Sequence, residues 1–275
     1  MDMRAVKLSL GVVDRQGNER CRFEGFEEVV LSWRGAFHEG DRIVVTCDRD
    51  AARVALKLDA ALPESLVLLK GGVFEFPVPV DETHRDYARG VAFAGERHWC
   101  YVRVPDSREC AAWRNVAHNA YDRPLPGGVS PCAFPHASTN VAGANSQFYA
   151  KNAIDGVFEA RGHGSWPHES WGTTGSDEPW LRVEFGESVR MDELRLYLRA
   201  DYPHDTWWHR AHVCFSQGEP LDIALCQTAG AQRFDLQGRT ASWIEVRPYG
   251  KDDPAGYAAI SQLMVMGATK EALHG

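Results

Sequence analysis

The chain has 275 residues, 44% hydrophobic and 25% charged, with a net charge of −8. This composition excludes a disordered chain, and without a basic stripe it argues against a nucleic-acid partner. No apolar run reaches the length of a membrane span, and the length suits two ordinary domains or one large one.

The N-terminal segment, Met-Asp-Met-Arg-Ala-Val-Lys-Leu-Ser-Leu, alternates like a strand and lacks the apolar core of a signal peptide, which predicts a cytoplasmic protein. Short alternating or apolar runs follow at Val29–Trp33, Arg42–Cys47, Val54–Leu58, Leu66–Leu69, Val73–Val78 and His98–Val104. The run Phe-Glu-Phe-Pro-Val-Pro-Val from Phe74 reads as an edge strand, because proline has no N–H to give to a ladder. Trp33, His38, His98 and Trp99 are isolated in this half and read as core or edge residues. Helix formers after Pro105 predict a short helix within Asp106–Val116. The proline- and glycine-rich stretch Asn119–Pro135 breaks regular structure and marks a boundary.

Beyond it, strands are predicted at Leu181–Phe185, Leu194–Leu198, His212–Ser216, Leu221–Leu225, Gln232–Leu236, Ser242–Val246 and Gln262–Met266. Residues 54–69 and 181–198 share a strand–turn–strand pattern. The expectation is an all-β protein of two tandem β-sandwich (jelly-roll) domains, 1–125 and 126–275. The seven cysteines are odd in number, scattered and mostly in strand-like runs, so they read as reduced core residues. No C-x-x-C pair supports a thiolate zinc site.

One ordered set of motifs carries a resemblance. Ala150-Lys-Asn-Ala-Ile-Asp-Gly is followed by Ser170-Trp171, then Trp180-Leu-Arg-Val-Glu-Phe-Gly, then Leu194-Arg-Leu-Tyr. Over roughly residues 135–268 the chain resembles the discoidin, or F5/8 type C, group of galactose-binding-like jelly rolls that serve as carbohydrate-binding modules. The resemblance implies ligand loops at one end of the sandwich. It also implies a structural calcium at the Ala-Ile-Asp-Gly turn, with Asp155 as carboxylate ligand, Ala153 lending its carbonyl, and Ser170 as a further candidate. The chain departs from the pattern in its last strand, where Gln262 stands in place of an acidic residue. Read from its residues alone, Asp155 serves equally as a turn residue capping its own backbone, with Gly156 at positive φ. No cofactor is otherwise required.

Six of the nine tryptophans and six of the eleven histidines lie between residues 136 and 243. Trp171, Trp180 and Trp243 are assigned to the core. Trp166 in a Gly-Ser-Trp-Pro loop and the adjacent pair Trp207 and Trp208 are the candidate sugar platforms, at most one of that pair being core because neighbours on an extended chain face opposite ways. His168, Arg199, Asp201, His204 and Asp205 are the candidates to hold ring hydroxyls. His163, His168, His204 and His209 follow no zinc spacing.

The first reading is therefore a non-catalytic carbohydrate-binding protein, with homo-oligomers left open. Two alternatives stand beside it. A cytoplasmic enzyme acting on a sugar would use carboxylates among Glu169, Asp201 and Asp205, and no Gly-x-Ser-x-Gly elbow, phosphate loop or dinucleotide fingerprint points to other chemistry. A protein-assembly module would bury the tryptophan-rich loops against a partner.

Overall fold

The structure is a computed structural model that describes residues 5–81, 83–141, 143, 145–173, 178–200, 206–253 and 255–269. Its first half holds β1 (Lys7–Val13), β2 (Glu19–Phe26), β3 (Glu28–Arg34), β4 (Arg42–Cys47), β5 (Ala51–Lys57), β6 (Ser65–Lys70), β7 (Val73–Pro77) and β8 (Arg97–Arg103). A one-turn helix α1 (Ser107–Ala111) precedes β9 (Arg114–Asn115), β10 (Ala133–Phe134), β11 (His136–Thr139) and β12 (Trp171–Gly172). The second half is completed by β13 (Leu181–Arg199), β14 (Arg210–Phe215), β15 (Leu221–Ala224), β16 (Gln232–Tyr249) and β17 (Ala259–Thr269). The chain is all-β, as its patterning predicts.

Strand alternation builds the first core. Leu8, Leu10 and Val12 of β1 and Ile43 and Val45 of β4 point inward from a sheet ordered β2-β1-β4-β7. They meet Val54 and Leu56, Val67 and Leu69, and Val29 and Leu31 of a second sheet, ordered β10-β6-β5-β8-β3. The proline-bearing β7 is an edge strand, where its missing N–H breaks no ladder.

The second core forms within a third sheet, ordered β12-β17-β13-β16-β14-β15, with β11 on β13 and β9 on β17. Here two pairs of predicted strands prove to be single long ones. In β13, residues 185–188 lie opposite Ser242 alone, with Gly186 at φ 72°. In β16 the interruption falls at Gln237 and Gly238, both at positive φ, opposite the register shift between Met191 and Glu193. These bulges bend the strands without ending them, so one strand lines both layers. The glycines that read as turns in sequence are the bend points.

The predicted helix is shorter than its propensity. Asp106 caps it by accepting from the Arg108 and Glu109 amides, and Glu109 answers with its own capping bond to the Asp106 N–H. After Ala111 the chain turns extended, and β9 pairs with Met266 and Gly267 of β17.

That pairing corrects the expected domain limits of 1–125 and 126–275. β9 lies before the limit and joins the third sheet, while β10 lies after it and pairs with β6 of the second. Val116 and Ala117 belong to the second core, Ala120, Tyr121 and Ala133 to the first. No single cut at residue 125 separates the cores. Polar contacts reinforce the seam: Arg53 pairs with Glu187, and Lys70 donates to the Gly186 carbonyl at 2.5 Å.

All seven cysteines are free thiols. Cys226 is exposed, Cys47, Cys100 and Cys110 are buried, and burial pushes the Cys100 thiol up to about 12. A thiol reagent is therefore expected to modify Cys226 first in the native protein and all seven after denaturation. Native-state kinetics showing rapid loss of Cys100 would contradict the packing.

Candidate functional site

The segments that carry Trp166 to Trp171 and Trp207 to His209 meet through the core. Trp208 is 2% exposed and stacks on Trp171, with centroids 5.7 Å apart and planes 25° from parallel. This corrects the expectation that Trp208 could hold a sugar: Trp208 packs beside the interior face of the third sheet, and neither face of its ring reaches solvent. Trp207 is half-buried at the margin of the same core and tilts against His209 at 5.1 Å. Arg199, the last residue of β13, is also buried, and its guanidinium donates to the Tyr257 carbonyl. That bond ties the end of β13 to the backbone at Tyr257. Asp201, His204 and Asp205 lie outside the described residues.

Trp166 is 43% exposed, and its N–H donates to the Arg85 carbonyl at 2.8 Å. His168 is half-buried against Gly162, where an added Cβ would stand 2.9 Å from its Nδ1. Trp180 and Trp243, expected in the core, are half-buried on the outer face. Leu181, Val183 and Ile244 take the inward positions, so the two tryptophans flank the Arg182 guanidinium at 5.6 and 4.3 Å.

The Asp155 turn has the geometry of the self-capping alternative. Asp155 Oδ1 accepts the Val157 N–H at 2.8 Å, and Gly156 sits at φ 91°. Gln262 of β17 crosses beneath it: its Oε1 accepts the Gly156 N–H at 3.1 Å and its Nε2 donates to the Ala153 carbonyl at 2.5 Å. Nearby, Lys151 is buried with its Nζ 2.6 Å from Asp86 Oδ2 and 4.4 Å from the centre of the Tyr87 ring. Burial alone would raise the Asp86 carboxyl, but the Lys151 ammonium and His84 outweigh it and hold it at about 2. Burial works against the Lys151 charge too, and Tyr87, Asp86 and Asp155 more than offset it. Asp155 and Glu169 share the opposite fate: burial pushes both up, helped by the Asp86 charge at Asp155 and by the Asp155 charge at Glu169. Among the described residues, no three carboxylate, imidazole or thiol groups converge as metal ligands.

The turn delivers the next residues to a surface cleft of about 510 Å³. Phe158, 54% exposed, lies 5.3 Å centre to centre from Tyr197, at 38°. Tyr197 occupies an outward position of β13, between the buried Leu196 and Leu198. On the rim, Arg161 holds Glu159 with two bonds, Nε to Oε1 at 3.0 Å and Nη2 to Oε2 at 2.7 Å. That fork keeps Glu159 at about 2. Ala229 and Gly230 form a low, small-residue wall opposite.

Two other clefts among the described residues lack this combination. One of about 310 Å³ between the halves is lined by Arg114, His118, Arg195, Met264 and Met266, and one of about 360 Å³ in the first half by charged side chains around Arg20 and Asp41. Neither is lined by a tryptophan, tyrosine or phenylalanine. Sequence reasoning passed over Phe158, Glu159 and Arg161. Their only signal is an aromatic residue followed by an acid and an arginine between Gly156 and Gly162.

No protein-family model matches the chain, and no curated protein matches it. Among solved structures it is similar to the lectin domain of lectinolysin complexed with Lewis B antigen, at 16% identity over 57% of this chain and 98% of that one, with a TM-score of 0.43. It is similar to a fucose-binding module of Streptococcus pneumoniae at 11% identity, over 55% of this chain and 96% of that one, with a TM-score of 0.42. A family 32 carbohydrate-binding module from C. perfringens, in complex with galactose, aligns at 18% identity over 47% of this chain and 91% of that one, with a TM-score of 0.38. The all-β architecture described above stands on this chain's own antiparallel ladders.

Proposed function

We propose that the chain binds a carbohydrate without transforming it, in the cleft formed by Phe158 and Tyr197. The observation that supports this is the tilted pair of exposed Phe158 and half-buried Tyr197 beside a fixed acid–guanidinium fork. A pyranose offers an apolar C–H face and a belt of hydroxyls. The first suits the Phe158 ring, and the second suits the remaining acceptor and donor positions of Glu159 and Arg161. Because the two charges neutralise each other, the rim suits a neutral sugar. The cleft is shallow and open, so a single sugar unit would bind weakly. The galactose-binding-like jelly roll implied by the Ala-Ile-Asp-Gly motif is consistent with this reading.

The test begins with a glycan array and continues by calorimetry on the best hit. Phe158→Ala is expected to weaken binding about tenfold or more, since a lost stacking partner of this kind costs on the order of 1.4 kcal/mol. Being exposed, it should leave stability within about 0.5 kcal/mol. Trp166→Ala is expected to leave affinity unchanged. Loss of binding in Trp166→Ala but not Phe158→Ala would move the site to the 163–171 loop, and a hit unaffected by both would refute this cleft.

A further inference from the structure

The Asp155 turn is where the resemblance would seat a calcium ion, and this chain has filled that place with its own groups. Of the implied ligands, the Ala153 carbonyl already accepts the Gln262 amide. The late acidic residue is Gln262 itself. Its orientation follows from its two bonds: the oxygen faces the Gly156 N–H, so the NH₂ faces the Ala153 carbonyl. A carboxylate could not donate there. Two would-be ligands therefore bond to each other. Asp155 Oδ1 is engaged by the Val157 N–H.

The second observation is a resident cation. Lys151 lies in the 3₁₀ turn Ala150–Ala153 that leads into Asp155, and it is buried. Its ammonium meets Asp86 of the first half, covers the Tyr87 ring, and is drawn by the Asp155 charge. A divalent ion beside it would face a fixed like charge in a poorly solvated site, where repulsion is screened little.

We propose that the Lys151 ammonium and the Gln262 amide take the structural place of calcium in this chain, so that the fold binds no divalent cation at the Asp155 turn. The ammonium also does what a calcium confined to the second half could not: it ties Asp86 of the first half to that turn. The second oxygen of Asp155 and the buried Glu169 and Ser170, whose side-chain oxygens have no hydrogen-bond partner among the described residues, are the ligands that would remain for an ion. The experiment is therefore a direct one on the unaltered protein.

The full chain, stripped with chelator, is melted in chelator and in millimolar calcium, and calcium is titrated calorimetrically at the same time. The expected result is coincident melting midpoints and no binding heat. A midpoint raised by several degrees in calcium, as saturating ligand binding to the native state produces, would overturn the proposal. Lys151→Met is expected to melt well below the parent protein, by the same interval in both buffers. A Lys151→Met variant as stable as the parent would equally overturn it. The calcium titration of the parent holds whether or not that variant folds, and its outcome is separate from sugar binding.

Discussion

Trp208→Ala is expected to cost about 3–5 kcal/mol of folding stability, and Trp166→Ala less than about 0.5 kcal/mol, by urea denaturation of each. The two tryptophans look alike in sequence, each in a loop beside histidine and acid. Trp208 is packed in the second core, and its loss leaves a cavity that strand backbones of the third sheet cannot close. The damage spreads through its partner. Trp171 Nε1 donates to Thr139 Oγ1 at 3.0 Å, and that hydroxyl donates to the Trp180 carbonyl at 2.7 Å. Truncating Trp208 loosens the ring that holds this relay between β11, β12 and the start of β13. Trp166 is half-exposed, and the Arg85 carbonyl it meets is bonded by the backbone N–H, which alanine keeps. Equal effects of the two substitutions would mean that Trp208 is not a core residue.

Asp86→Asn is the second large effect, about 3–5 kcal/mol, because removing one partner strands the other charge in the interior. It carries a pH signature. The folded-state pKa of Asp86 lies near 2, below the ordinary 3.8. Its contribution is therefore fully present above about pH 4 and is lost as pH falls through 2. At about 1.4 kcal/mol per pKa unit, roughly 2 kcal/mol should disappear over that interval in the parent protein. The variant should lack this part of the acid limb. Asp155 and Glu169 act with the opposite sign, because their raised values favour the protonated, folded form and weaken folding as pH rises through them. Parallel stability curves for parent and variant between pH 4 and 2 would show that Asp86 does not pair with Lys151 in solution.

The strands were legible where side chains alternate. Arg42–Cys47 and the proline-bearing β7 stand where the pattern puts them, because one wet face and one dry face leave a period of two. β2 was not legible: as an edge strand with a mostly exposed face, it carries little hydrophobic signal. The continuity of β13 and β16 was hidden by Gly186 and Gly238, since a glycine at positive φ serves a turn and a bulge alike. At the site, alternation limited the core to one of Trp207 and Trp208, and only the third dimension chose Trp208 by bringing Trp171 to it. Trp180 and Trp243 went the other way, outward onto an arginine, because their neighbours were the better core residues. Phe158 carried no pattern at all. Its position depends on Gln262, 104 residues further along the chain, whose amide fixes the turn before it. The departure at Gln262 was visible in sequence, and the two bonds its amide makes to Gly156 and Ala153 were not.

The crossed strands β9 and β10 bear on how such a molecule can be divided or reshuffled. A protease nicking the proline-rich link near residue 125 would leave each fragment holding an edge strand of the other's sheet. The fragments would tend to stay clasped after the peptide bond is cut, and each expressed alone would present an unfinished sheet margin to its neighbours. Recombination at that link would transplant a half-built module. For the Phe158–Tyr197 cleft to be moved intact onto another protein, the graft would have to begin at α1, ahead of β9, which the third sheet takes from before the link.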